Sequence, residues 1–266
     1  MSLIGKKLLC FRQAIGSKKN LVLERALSAY LTFLHAKDEP IFVKVGANDG
    51  ITGDPCGDKL LAMKKWKGHL IEPIPYVFAK LLKVYGDHRR GKCHQVAISA
   101  NTGTASIYYL SPKAKEDFPG LPAWWDQLAS FNPGHIEKHF GITISPYIST
   151  QVVPTLPLSD FVQNELTKNF EFLHIDTEGH DLVVLKSMDF GIAKPSVVLI
   201  EIKHLSAEDY SEVQTLLSNA GYSIVISSGS DLLASKDSVA GRIIIFYAWS
   251  AVLGSMIGRR FLKIFR

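Results

Sequence analysis

From Pro40 onward, short apolar runs alternate with longer stretches whose apolar residues recur at helical spacing. Ile41 to Val45 is an apolar run closed by Gly46, His69 to Glu72 is a second that ends on an acid, and Cys93 to Ser99 is a third. Phe170 to Asp176, Ser196 to Ile202, Ser223 to Ser227 and Arg242 to Ala248 complete the predicted strands, the last two as a hairpin-like pair. Helices are predicted over Lys59 to Lys67, Tyr76 to Tyr85 with Leu81 and Leu82 on its apolar face, Leu158 to Thr167, Asp181 to Met188, and Glu208 to Ala220, which Gly221 stops. This alternation predicts a single α/β domain in which helices cover a parallel sheet.

One stretch breaks the pattern. Between Ser111 and Thr150, Pro112, Pro119, Pro122, Pro133 and Pro146 exclude any long element, while Trp124, Trp125, Phe131, His135, His139 and Phe140 make it aromatic-rich. Such an insertion is either a lid over an active site or a packed side subdomain. At 47% hydrophobic and 21% charged residues, the 266-residue chain can bury a large core. Cys10, Cys56 and Cys93 are scattered and odd in number, as expected of reduced thiols in a cytoplasmic protein. The N-terminus has no sustained apolar stretch followed by a small-residue cleavage site, so export is not implied.

Charge is unevenly spread. Lys6, Lys7, Arg12, Lys18 and Lys19 at one end and Arg259, Arg260, Lys263 and Arg266 at the other have no acid among them. With these nine set apart, 21 basic residues face 25 acidic ones, so a nucleic-acid groove through the body is disfavoured.

The candidate chemistry begins with Val45-Gly46-Ala47-Asn48-Asp49-Gly50, a glycine-rich turn from strand to helix of the kind that lets a ligand approach the backbone. Glu72, 22 residues past Gly50 at the next strand end, suits a carboxylate that accepts hydrogen bonds from two ribose hydroxyls. Together they point to an adenosine-type cofactor, although a tight turn beside a surface acid would produce the same letters. The dinucleotide fingerprint would require glycine at 48 and 51, where Asn48 and Ile51 stand. That failure favours a ligand with one ribose and an amino-acid tail, S-adenosylmethionine, over a nicotinamide dinucleotide. A second cluster, His174 to Asp181, places Asp176, Glu178 and His180 at the carboxyl end of a strand, and Glu201 and His204 arrive at the end of the next. Five ionisable groups at one sheet edge exceed what folding requires.

The segments VGANDG (45–50), LIEPIP (70–75), VAIS (96–99), HIDTEGHDLVVLKSMDF (174–190) and KPSVVLIEIKHLS (194–206) resemble the FkbM family of methyltransferases, in order, over roughly Pro40 to Ser206. The resemblance implies a seven-stranded, Rossmann-like class I methyltransferase sheet with helices on both faces and the aromatic-rich insertion before the fourth strand. It also implies adenosylmethionine as methyl donor and a hydroxyl as acceptor, on a sugar or glycan, a lipid-linked saccharide or another small molecule. Carried over by position, Gly46, Ala47, Asn48, Asp49 and Gly50 would surround the methionine part and Glu72 with Pro73 the ribose. Ala97, Ile98 and Ser99 would line the adenine, with Asp176 near the sulfonium. One departure stands out: many methyltransferases have an acid where this chain has Lys44, leaving Asp49 or Asp176 to replace it. A base must take the acceptor's proton, and His180 and His204, oriented by Glu178 or Glu201, are the candidates, since imidazole is largely neutral at cellular pH. No metal is required by this scheme; the alternative ligand set for a divalent ion is Asp176, Glu201 and His204.

The tail from Trp249 to Phe265 repeats apolar residues at helical spacing among Arg259, Lys263 and Arg266. It is expected either to pack on protein or to lie, with the basic N-terminus, on the inner face of an anionic membrane. The resulting domain plan is a basic helical segment over 1–39, a methyltransferase domain over 40–248 with the insertion at 111–150, and an amphipathic tail over 249–266. Besides a methyltransferase with a small-molecule or glycan partner and no nucleic acid, two functions stay open: a Rossmann oxidoreductase, and a membrane-associated binding module with a degenerate cofactor site.

Overall fold

A computed structural model of the chain describes residues 3–251 other than 53–54, 87–90, 167–168, 238 and 240; for residues 3–18 and 58 it describes the backbone alone. A 33-residue helix α1 (Leu3–His35) leads into β1 (Ile41–Val45), α2 (Gly57–Ala62), β2 (Lys67–Ile71), α3 (Pro75–Tyr85) and β3 (Gly91–His94). Then come β4 (Ala97–Ile98), β5 (Gly103–Leu110), α4 (Lys113–Asp117), α5 (Pro133–Phe140), a 3-10 turn (Ile142–Tyr147), β6 (Ile148–Leu156) and α6 (Leu158–Glu165). The series closes with β7 (Phe172–Ile175), α7 (Asp181–Lys186), β8 (Val197–Glu201), α8 (Ala207–Asn219), β9 (Ser223–Ser227) and β10 (Asp231–Ser235), followed by a helix over 241–251.

Seven strands form the main sheet in the order β3-β2-β1-β7-β8-β10-β9. β3, β2, β1, β7 and β8 are parallel, and β10 runs antiparallel to β8 and β9. This is the α/β class I methyltransferase sheet that the sequence resemblance implies. Strand order reverses between β1 and β7, and side chains there alternate between two cores with the strand period of two. Val43, Val45, Leu173, Ile175, Val198 and Ile200 face α6, α7 and α8, where Phe161, Val184 and Leu217 pack on them. Phe42, Phe172, Val197 and Leu199 face the other way, onto Val22, Leu23, Leu27, Leu31 and Leu34 of α1 and Leu81 of α3. Complete burial of such side chains contributes about 1.5–3 kcal/mol each, so the second half of α1 belongs to the same folding unit as the sheet.

Local signals explain several boundaries. Pro75 sits in the first turn of α3, where its missing N–H costs nothing, and Asn132 caps α5 by accepting from Gly134 N at 3.0 Å. Ser206 caps α8 by accepting from Asp209 N at 3.0 Å.

Several expectations need correction, among them the helix over Lys59 to Lys67, which ends at Ala62 while Lys67 opens β2. Residues 242–248 are helical, not a strand: Ile244, Ile245, Ala248 and Trp249 pack inward while Ile243, Phe246 and Tyr247 are exposed, a helical spacing that overrides the strand preference of an isoleucine run. The partner of β9 is instead β10, whose Leu232, Leu233 and Ala234 are fully buried. The run Cys93 to Ser99 divides at Gln95, with β3 in the main sheet and β4 in a three-stranded sheet of order β4-β6-β5. β5 and β6 pair antiparallel from Gly103–Thr155 to Leu110–Ile148, so the insertion hangs from a regular two-stranded arm. On α3, Leu81 is buried but Leu82 is 43% exposed, because Val77, Leu81 and Tyr85 form the inward stripe. Cys56 and Cys93 are thiols. Residues 252–266, and with them most of the proposed amphipathic tail, lie outside the described residues, as do the side chains of Lys6, Lys7, Cys10, Arg12 and Lys18. Among the described residues no helix is long and apolar enough to cross a membrane.

Candidate functional site

A crevice of about 540 Å³ opens at the carboxyl ends of β1, β2, β7 and β8, where the strand order reverses, the place at which open α/β sheets bind ligands. The turn after β1 shapes one wall. Gly46 has φ +77°, and a Cβ there would lie 1.7 Å from the Asp176 carbonyl oxygen; Gly50 has φ +83°, and its Cβ would lie 2.5 Å from the Tyr85 ring. Both glycines are therefore demanded by packing between strand ends and helix, rather than by room for a ligand. Gly46 and Asn48 border the crevice. Ala47 is buried in the core facing α1, and Asp49 folds back to accept from Ile51 N, Thr52 N and Thr52 Oγ1 at 2.9, 2.7 and 2.6 Å. Asp49 thus shapes the loop and does not replace the missing acid.

Glu72 follows β2 and is 6% exposed in the crevice floor. Its Oε2 accepts from Asn48 N at 3.0 Å and its Oε1 from Ile74 N at 2.9 Å. Burial pushes its carboxyl up to about 7, against the pull of these amides and of Lys44. Lys44 is itself buried, projects into the same crevice and also favours the ionised form of Asp176, whose carboxyl burial and neighbouring acids push up. Pro73, Ala97 and Ile98 continue this wall.

The turn after β7 is built on Asp181, 1% exposed, whose carboxylate accepts from Thr177 N at 2.8 Å, Thr177 Oγ1 at 3.0 Å and Gly179 N at 3.0 Å. Closing it puts Glu178 at φ 52°, a left-handed conformation uncommon for a residue with a side chain. Glu178 thereby reaches His204 Nε2 at 3.0 Å and His135 Nε2 at 3.8 Å. Burial opposes its charge, but those two histidines outweigh it and hold its carboxyl down at about 2. Glu201, 7% exposed at the end of β8, has its carboxyl pushed up by burial and by the acids around it.

The two candidate bases part company here. His180 lines the crevice, 3.1 Å from Ser99 Oγ through Nε2, with its ring 4.4 Å from that of Phe131; burial pushes it down to about 4, so it is neutral. Ser99 itself is not among the residues that line the crevice and reaches it only through this contact with His180. His204 does not line the crevice but stands behind Glu178 and Glu201, which accompany it and not His180. Of the expected metal set, Glu201 and His204 come together with Glu178 instead of Asp176.

Phe131 of the aromatic-rich insertion lines the crevice, as do Lys203 and Asp231, which sequence reasoning passed over together with the approach of His135 and His139 to His204. The spacing of four between His135 and His139, just after a capping Asn-Pro, was the available signal. The insertion forms a wall of the crevice through Ala129, Ser130 and Phe131, and it ties down to the opposite rim through Gln127 Nε2, which donates to Thr52 O at 3.1 Å, and through the Lys80–Asp126 ion pair.

Residues 44–224 match the family model described as the methyltransferase FkbM domain. No curated protein matches the chain. Solved structures of similar fold include the methyltransferase FkbM from Methylobacillus flagellatus KT, at 17% identity and a TM-score of 0.46, covering 74% of this chain and 44% of that one. Another is fibrillarin from Aeropyrum pernix with natively bound S-adenosylmethionine, at 14% identity and a TM-score of 0.37, covering 74% and 67%. A third is the precorrin-6y C5,15-methyltransferase from Geobacter metallireducens GS-15, at 11% identity and a TM-score of 0.37, covering 78% and 86%. The chain thus spans less than half the length of the first, at 44%.

Proposed function

The chain belongs to the FkbM methyltransferase domain family, and from that membership we propose that it moves a methyl group from S-adenosylmethionine to a hydroxyl oxygen of a polar small molecule or glycan. Family membership displaces the oxidoreductase alternative. The observation that carries the cofactor reading is Glu72, a carboxylate sealed in the crevice floor with each oxygen already oriented by a backbone amide. Each of those oxygens keeps a further lone pair for a ribose hydroxyl.

The residues present fit the cofactor. Glu72 would accept the ribose hydroxyls, Pro73, Ala97 and Ile98 would flank the adenine, and Gly46 and Asn48 would border the methionine part. Lys44 would face the cofactor's carboxylate and Asp176 its ammonium, an exchange of roles that accounts for a cation where related enzymes have an acid. When bound, adenosylmethionine supplies a methyl group already activated on a sulfonium.

What remains for the protein is alignment, exclusion of water and removal of one proton. His180 Nε2 would receive the acceptor hydroxyl's proton once that hydroxyl takes the place of Ser99 Oγ beside it, with Phe131 shielding the ring. A buried, neutral imidazole has the lone pair this needs. His204, behind Glu178, would not touch the acceptor. Lys203, Glu201 and Asp231 line the remaining crevice, a charged lining that suits a hydroxyl-rich acceptor. Calorimetric titration with adenosylmethionine, its demethylated product and NAD tests the cofactor, and transfer of labelled methyl to a panel of saccharides and lipid-linked saccharides tests the acceptor. Binding of the first two ligands alone supports the reading; no heat with either would return the chain to a binding module with a degenerate site.

A further inference from the structure

Beside the crevice, outside its lining, three histidines and a carboxylate meet. His135 and His139 are four residues apart on α5 and so share one face of that helix. His204 comes three residues after the end of β8, and Glu178 from the turn after β7. The ring centroids lie 4.9 Å apart for His135 and His139, 4.8 Å for His135 and His204, and 5.5 Å for His139 and His204. One nitrogen of each histidine falls within 4.8 Å of one nitrogen of the other two.

These polar atoms are sealed and unsatisfied. Nε2 of His135, His139 and His204 and Oε2 of Glu178 and Glu201 are closed off from solvent, and none makes a hydrogen bond. The 3.0 Å approach of His204 Nε2 to Glu178 Oε2 is an ion-pair distance, not an aligned N–H···O bond. Buried polar atoms without partners are rare because each unmade bond costs folding free energy. The three histidines each bring one nitrogen within 4.8 Å of the others, and Glu178 Oε2 lies 3.0 and 3.8 Å from Nε2 of His204 and His135, so these four share one place for a partner.

We propose that His135, His139, His204 and Glu178 bind a divalent transition-metal ion that fastens the insertion helix α5 to the strand ends beside the crevice. Three imidazoles with one carboxylate suit zinc and its first-row neighbours, not magnesium or calcium, which take oxygen ligands. With metal–ligand bonds of about 2.0–2.1 Å, the ligand atoms of a tetrahedron stand about 3.3 Å apart. Present separations are 3.0 and 3.8 Å from Glu178 to His204 and His135 and up to 4.8 Å among the three histidines, so the side chains would draw inward around the ion. The ion would neutralise Glu178 and, by holding α5, hold Phe131 against His180. A second group of potential ligands, His69, His94 and Glu165, lacks these features: Lys92 already pairs with Glu165, and none of its ligand atoms is sealed without a partner. The proposal requires no methyl transfer, and its test is independent of cofactor binding.

The test uses the tag-free full chain, stripped with a chelator and titrated with Zn²⁺ against a chromophoric competitor, and with Co²⁺ for its visible ligand-field bands. One tight equivalent is expected, with bands of tetrahedral intensity and a rise in melting temperature. Loss of an outer-shell partner alone weakens metal binding about 10–100-fold, so His139→Ala, and separately the more conservative His139→Gln, should weaken it at least about 100-fold, while His69→Ala changes nothing. Circular dichroism and melting of the metal-free variants establish that they fold. Weak binding that is the same in wild type and in both folded His139 variants, or binding abolished by His69→Ala, would overturn the proposal.

Discussion

The two ends of the crevice hold buried carboxylates in opposite conditions. At the β2 end, Glu72 has both oxygens met by amides of its own and the neighbouring loop, Ile74 and Asn48. At the β7–β8 end, Glu178 and Glu201 each keep one oxygen sealed without a hydrogen bond, beside His204, with His135 reaching Glu178 from the insertion. The first end is arranged by backbone before any ligand arrives. The second is arranged by side chains from three separate segments. The difference separates an end that backbone amides arrange from an end that side chains arrange.

Gly46 joins the two ends, and its substitution is expected to have the largest effect. Gly46→Ala would combine φ +77° with a Cβ 1.7 Å from the Asp176 carbonyl oxygen, forcing β1 and β7 apart at the strand ends. A loss of about 4 kcal/mol or more in denaturant unfolding is expected, as for the most disruptive single changes; an unchanged midpoint would mean that the ends are not rigidly joined. Next, His180→Ala should lower kcat by about 100-fold, roughly 2.7 kcal/mol, while adenosylmethionine affinity stays the same. Turnover that survives in His180→Ala but falls in His204→Ala would move the proton acceptor to the side-chain end.

Asp181→Ala sharpens the contrast from the other direction. It removes the acceptor of the Thr177 and Gly179 N–H groups, and about 2 kcal/mol of stability should go with it. Cofactor affinity should hold, because the Glu72 end is supported independently; a parallel collapse of that affinity would show that the two ends are one unit.

How much could be read in the sequence follows the same division. β1, β7, β8 and β9 announce themselves as apolar runs, and Glu72 is legible because a local turn and the next strand end fix it at a set spacing. Asp181 falls within the recognised motif, yet its place as the hub of the turn depends on three donors that only the closed loop brings together. β5 and β6 escaped notice because their Thr, Ser and Tyr residues are partly solvated on a small outlying sheet. Residues 242–248 read as a strand because isoleucines favour strands wherever no partner overrides them. His135 and His139 were visible only as members of an aromatic stretch, since their meeting with His204 spans some 65 residues and depends on how the insertion folds back.

The central claim is that Glu72, ionised, is the cofactor's anchor. Burial raises its carboxyl to about 7 in the folded chain, above its ordinary value near 4.5, so on its own account it stabilises the fold below pH 4.5 and loses that contribution as pH rises through 7. Ribose hydroxyls donate to the ionised form, so cofactor binding has the opposite trend and strengthens with rising pH. Calorimetric titration of adenosylmethionine into wild type and Glu72→Gln at pH 6 and pH 8 measures this directly. A group with that pKa should make wild-type binding about tenfold tighter at pH 8, roughly 1.4 kcal/mol, beyond any change shared with the variant. Equal affinity in the two proteins, with the same pH dependence, would contradict the account.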